Sequence, residues 1–160
     1  MPETARYGVE PKAATEALRV LMRHTYGRDP FSNVQRRRKA VYFAHAQPVY
    51  GTEEEKADLA RISQHFSGYT IVNPADIKEY HIRDMDFYLG VVGKCDALVF
   101  TRFGGFVMGG VGKEATRALE LGKKVYELTD AGLVRVKEAP KYLSHEETVA
   151  LLVKVGFRKA

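Results

Sequence analysis

The chain has 160 residues, 45% hydrophobic and 28% charged, which suffices for one buried core and is too short for two comfortable domains. Its 25 basic and 20 acidic residues give a net charge of +5; that suits a small phosphate-bearing ligand and falls far short of the charge density of a dedicated nucleic-acid binder. One cysteine excludes an intrachain disulfide framework, no apolar run approaches about 18 residues, and the polar opening MPETARYGVEPK has no signal-peptide core, so a cytoplasmic protein without membrane contact is expected.

A single α/β domain over 1–160 is predicted, with a helical lead-in over 1–38, a core over 39–128, and a C-terminal strand and helix over 129–160. In the lead-in, Leu18, Leu21 and Met22 keep helical spacing over 13–24. The run Arg36-Arg37-Arg38-Lys39 reads as a solvated approach to the first strand, or else as a contact for phosphate or nucleic acid. Ala40-Val41-Tyr42-Phe43-Ala44 is a run of strand formers. Over 52–66, Leu59, Ile62 and Phe66 recur at helical spacing, and Thr52 with Glu55 predicts a capping box. Tyr69-Thr70-Ile71-Val72 forms a second strand, stopped by Asn73-Pro74 because proline lacks a ladder donor and restricts the residue before it.

Ile82, Met85, Leu89 and Val92 predict a helix over 81–94, and Ala97-Leu98-Val99-Phe100 a buried strand after it. Four glycines among the eight residues of 103–110 predict a loop. Val111, Ala115, Ala118 and Leu119 share one face of a helix over 111–121, which Gly122 is placed to end. Val125-Tyr126-Glu127-Leu128 is a fourth strand; Thr129-Asp130-Ala131-Gly132 turns into Leu133-Val134-Arg135-Val136, and 146–155 closes the chain as a helix. This alternation implies right-handed crossovers and a flavodoxin- or Rossmann-like parallel sheet of four to five strands with helices on both faces. Ligands are then expected at the carboxyl ends of the strands.

The segment from Gly104 to Glu114 admits three readings. A P-loop fails, because Val107 and Glu114 stand where a glycine and a Ser or Thr are needed. A dinucleotide fingerprint can be traced through Gly110, Gly112 and Ala115, but those glycines belong directly after the first strand, not after a long loop on a later one. The third reading has backbone amides at Gly110 and Gly112 approaching a ligand while Glu114 stands in the first turn of the helix, where the dipole favours its ionised form. An ionised glutamate so held can attack an anomeric carbon, which is N-glycosidic bond chemistry. The same placement equally suits a glutamate that only complements the dipole. The five histidines, His24, His45, His65, His81 and His145, make no ligand spacing, so no metal and no cofactor is expected.

Three segments occur in order over 40–128: Val41-Tyr42-Phe43-Ala44-His45-Ala46, then Cys95-Asp96-Ala97-Leu98-Val99, then Gly110-Val111-Gly112-Lys113-Glu114 followed by Ala118-x-x-x-Gly122-Lys123-Lys124-Val125. In that order they make the chain resemble the nucleoside 2-deoxyribosyltransferase-like superfamily, which includes the deoxynucleoside monophosphate N-hydrolases. The resemblance implies an N-glycosidic bond hydrolase or deoxyribosyltransferase-like enzyme acting on a nucleoside or nucleotide, with Glu114 as nucleophile. It also implies a homo-oligomer whose pocket is completed across a subunit contact.

The superfamily places an aspartate on the helix before the central strand to protonate or orient the leaving base, and Asp84 and Asp86 lie near that position. At about 100° per residue, Asp86 falls about 40° from Ile82 and Asp84 about 200° from it. Asp86 is thus the expected partner, or else an edge residue. The chain departs from the pattern at Thr101-Arg102-Phe103 and at Met108, where further acids are expected. Arg102 then holds either a phosphate or a backbone carbonyl. His45 replaces a usual glycine and is either pocket-lining or structural, while Tyr50, Asn73 and Tyr80 are loop candidates for contacts to sugar or base. Gly109-Gly110-Val111-Gly112-Lys113-Glu114 also resembles the phosphoribohydrolases of the lysine-decarboxylase-like group. The missing acids leave a nucleotide-binding module without turnover as a further reading.

Overall fold

Five residues with no solvent exposure, Ala40–Ala44, form β1, an inner strand of the sheet. The computed structural model describes residues 38–77 and 85–159; the predicted helix over 13–24, Arg36, Arg37, Tyr80, Ile82 and Asp84 lie outside them. After β1 come a short turn with Pro48, α1 (Glu53–His65), β2 (Thr70–Val72), α2 (Met85–Lys94) and β3 (Ala97–Phe100). Then follow α3 (Gly109–Glu120), β4 (Lys124–Thr129), β5 (Gly132–Val136) and α4 (His145–Lys154).

The sheet order is β2-β1-β3-β4-β5. The first four strands are parallel, with Tyr42 opposite Val72 on one side and Leu98 on the other, and β5 closes the edge antiparallel to β4 through a tight turn. This is a single Rossmann-like α/β domain. The chain leaves β1 in one direction for β2 and returns past it to β3, so the order reverses between β1 and β3. A crevice forms outside the carboxyl ends of strands at such a reversal.

Both faces of the sheet are covered, which explains why the central strands are continuous apolar runs without alternation. Val41, Phe43, Ala97, Val99 and Leu128 pack with Ile62 and Phe66 of the α1 side. Tyr42, Ala44, Leu98, Phe100 and Val125 pack on the other face with Val91 and Val92 of α2, Val111, Ala115 and Ala118 of α3, and Leu152 of α4. Among the described residues, no helix is long and apolar enough to cross a membrane.

Two local expectations are revised. The Thr52 hydroxyl caps α1 by accepting the Glu55 amide, but the Glu55 side chain does not complete a capping box; it turns inward to accept the Gly51 amide at 3.1 Å and to meet His45. Helix α3 begins at Gly109, two residues earlier than predicted. Its N-cap residue Met108 has no acceptor to offer, and the Thr148 hydroxyl of α4 accepts the Gly109 amide at 2.9 Å instead. A cap supplied from a distant element leaves no local sequence signal.

Candidate active site

A cavity of about 510 Å³ opens at the reversal between β1 and β3, within the range of ligand-binding clefts. One side is His45, Gln47 and Tyr50, from the segment that follows β1; Met85 and Tyr88 of α2 form another. Met108, Gly110, Val111 and Glu114 make the floor, and α4 with the residues after it closes the top through Thr148, Leu152, Phe157 and Arg158.

Glu114 is almost fully buried, at 7% exposure. The hydroxyl of Tyr42, on β1, donates to its Oε2. Burial lifts the Glu114 carboxyl from its usual 4.5 to about 7, with the Tyr42 hydrogen bond pulling the other way. Tyr42 in turn is held well above its ordinary value by burial and by the neighbouring carboxylate, so it remains a neutral donor. The expectation that Glu114 stands in the first turn and is kept ionised by the dipole is thereby corrected. The earlier helix start moves Glu114 into the second turn, where the dipole effect has faded, and desolvation dominates.

His45 is buried at 3% exposure, stacked on Phe43 with centroids 3.8 Å apart. Its Nδ1 lies 3.0 Å from the Phe43 carbonyl oxygen and its Nε2 lies 2.7 Å from Glu55 Oε2. The carbonyl can only accept. Both contacts are therefore made when each ring nitrogen carries a proton, or when Glu55 holds the second one. In either case both nitrogens are occupied, and His45 offers the cavity a ring edge that anchors the β1 loop. Tyr50 lies against it, with centroids 4.7 Å apart; burial raises the Tyr50 hydroxyl strongly, leaving it a neutral hydrogen-bonding group at the cavity wall.

Of the residues singled out in the sequence, Glu114, His45, Tyr50 and Gly110 are brought together around the cavity. The others separate. Asp86 is exposed on the first turn of α2, about 140° from buried Val91 and about 120° from buried Val92; the packed face of the helix is set by that pair, with Met85 and Tyr88 turned to the cavity. Arg102 is half-exposed and bound in a fork to Glu127 of β4, Nε to Oε2 at 2.8 Å and Nη2 to Oε1 at 3.3 Å, so it is not a cavity-side phosphate holder. Asn73 is buried, and its Oδ1 accepts the Ala75 amide at 3.0 Å to cap the turn after β2; the adjacent Pro74 reaches the cavity instead. Gly112 meets protein, not ligand: a Cβ there would stand 2.1 Å from Tyr142 Cγ. Tyr80 lies outside the described residues.

Several site residues carry little signal in the sequence. Tyr42 was legible only as a strand former, although a hydroxyl within an otherwise apolar buried strand needs a partner. The α4 wall was legible only as a closing helix. Among the described residues, Glu114 is the one carboxylate lining the cavity, and no three His, Cys, Asp or Glu side chains stand together as a metal site. No family model matches the chain, and no curated protein matches it.

Proposed function

We propose that this protein cleaves or transfers at the N-glycosidic bond of a nucleoside or nucleotide, with Glu114 as the attacking group. The observation that carries the reading is a buried carboxylate, hydrogen-bonded by Tyr42, on the floor of a ligand-sized cavity at the reversal of the sheet order. The Tyr42 hydroxyl engages Oε2, so attack falls to Oε1. As Oε1 bonds to the anomeric carbon, the C–N bond breaks and its electron pair leaves with the base; water or an acceptor hydroxyl then displaces the glutamate. No second acid among the described residues lines the cavity, so the departing base takes its proton from water.

The single carboxylate also favours a second reading, a nucleotide-binding module without turnover, in which a protonated Glu114 donates to the ligand. Incubation with deoxynucleosides and their monophosphates separates the two through release of free base. Turnover is expected to rise with pH through about 7, as Glu114 ionises, and to fall at least about a thousandfold in Glu114→Gln. Tight binding with no base released at any pH sinks the enzymatic reading.

A further inference from the structure

The cavity wall that follows β1 is tied down from outside the cavity. Residues 46–52 make a compact turn: the Val49 amide donates to the Ala46 oxygen at 3.0 Å, the Tyr50 amide to the Gln47 oxygen at 3.0 Å, and the Thr52 hydroxyl to the Val49 oxygen at 2.6 Å. Those bonds shape the turn without fixing how it sits against the sheet. One carboxylate does that. Glu55, in the first turn of α1, spans both ends of the segment: its Oε1 accepts the Gly51 amide at 3.1 Å, and its Oε2 lies 2.7 Å from Nε2 of His45. The other ring nitrogen of His45 reaches the Phe43 oxygen at 3.0 Å, so the chain of contacts ends on β1.

Neither end of this arrangement is explained by the helix start alone. Glu53, Glu54 and Glu55 follow one another in the first turn of α1, where any of them complements the dipole. Glu53 and Glu54 stay exposed, whereas Glu55 is buried, at a cost in desolvation that only its two partners offset. Gly51 takes φ 77 with open space around its Cα, so the glycine serves the backbone turn that brings its amide to Glu55. Glu55 itself does not line the cavity. Gln47 and Tyr50 do, and both lie between the two ends that it holds; the Tyr50 ring rests against the His45 ring, with centroids 4.7 Å apart.

We propose that Glu55 is a positioning residue of the site: by holding Gly51 and His45 together it presents Gln47 and Tyr50 to a ligand as a ready-made wall. Its kinetic consequence rests on the glycosidic reading above; the clamp itself does not. Without the clamp, the turn is ordered at the ligand's expense. The titration of Glu114 is set by burial and by Tyr42, and is left in place.

Three variants of the intact protein test this. Glu55→Gln keeps both reaches, since its amide oxygen accepts from Gly51 and its amide nitrogen donates to Nε2 of a His45 ring protonated on Nδ1. Glu55→Asp keeps the charge but is too short to hold both ends, and Glu55→Ala holds neither. With deoxynucleosides and their monophosphates as substrates, KM should rise about tenfold or more in Glu55→Asp and Glu55→Ala, while kcat changes less than about threefold. The rise of rate with pH through about 7 should stay where it is, and Glu55→Gln should match the wild type. Partial unfolding would instead lower the active fraction, and so kcat, with KM unmoved. Where Glu55→Ala does not fold, the order of the other two decides: a wild-type KM in Glu55→Asp overturns the clamp. In the ligand-free protein, nuclear Overhauser contacts between the Tyr50 and His45 rings should vanish in Glu55→Asp and persist in Glu55→Gln; contacts that persist in both overturn it as well. The two readings fail separately. Ring contacts that depend on Glu55, with no base released by the wild type, keep the clamp and remove the chemistry. Base release that needs Glu114, with KM and ring contacts indifferent to Glu55, does the reverse.

Discussion

The two faces of the sheet follow different rules. On the α1 side, Val41, Phe43, Ala97 and Val99 meet Ile62, Phe66 and Leu128 in an apolar layer held by burial and close packing, and the buried carboxylate of that side, Glu55 of α1, is paired with His45, which stacks on Phe43. On the α2, α3 and α4 side, the same strands present Tyr42 to Glu114, and two polar groups are withdrawn from water where hydrophobic side chains would pack as well. Folding does not require that arrangement. The comparison teaches that a buried carboxylate can be held in two ways: Glu55 meets an imidazole and does not line the cavity, whereas Glu114 meets only a neutral hydroxyl and lines it.

The contrast breaks most visibly at Phe43. It is fully buried and stacked on His45, so Phe43→Ala should lower unfolding free energy by about 3–5 kcal/mol in chemical denaturation, without restoring any polar balance elsewhere. A loss below about 1 kcal/mol would mean that the apolar face is not the stabilising one.

On the opposite face, Glu114→Gln should stabilise. The carboxyl is raised from 4.5 to about 7 in the fold, so its contribution is fully present below about 4.5 and is lost as pH rises through about 7. At about 1.4 kcal/mol per unit, that loss is on the order of 3 kcal/mol. Glu114→Gln lacks this titration, and its advantage over the wild type should grow from near zero at pH 4.5 to a plateau above pH 7. Parallel stability curves for the two proteins across that window would contradict the desolvated carboxylate.

Gly112→Ala probes the seam between floor and wall. Its new Cβ would overlap the Tyr142 ring, at a cost of about 1–3 kcal/mol. Tyr142→Ala in the same chain should recover most of this in a double-mutant cycle; additive losses would remove the contact. The smallest effect is expected at Arg102. Its pairing with Glu127 is solvent-screened, so Arg102→Ala should change stability by less than about 1 kcal/mol in chemical denaturation.

Legibility in the sequence followed the range of the forces involved. The strands of the parallel sheet were readable because burial on both faces writes them as unbroken apolar runs, and Glu114 because the glycines before it mark a close approach. Asp86 shares a helical sector with Ile82, whereas Val91 and Val92 set the packed face of α2. Arg102 follows β3 at the expected height, yet β4 pairs Phe100 with Glu127 and so brings that carboxylate alongside. Sheet register of this kind is invisible to local pattern. The glycine at 112 signals a close approach without naming the neighbour, because Tyr142, which needs its missing Cβ, lies far along the chain. The wall around Arg158 failed to register for a related reason: helical periodicity shows that α4 has an inner face, but not what that face covers.

The seam at Gly112 has a consequence for how the hollow is entered. Tyr142 rests on the bare Cα of Gly112, the Leu143 amide donates to the Val107 oxygen at 2.9 Å, and Thr148 accepts from Gly109. Three contacts in succession fasten the segment leading into α4 to the start of α3. Were a ligand taken on that side, the walls it met would already be tied together, and little of its binding free energy would go into ordering them.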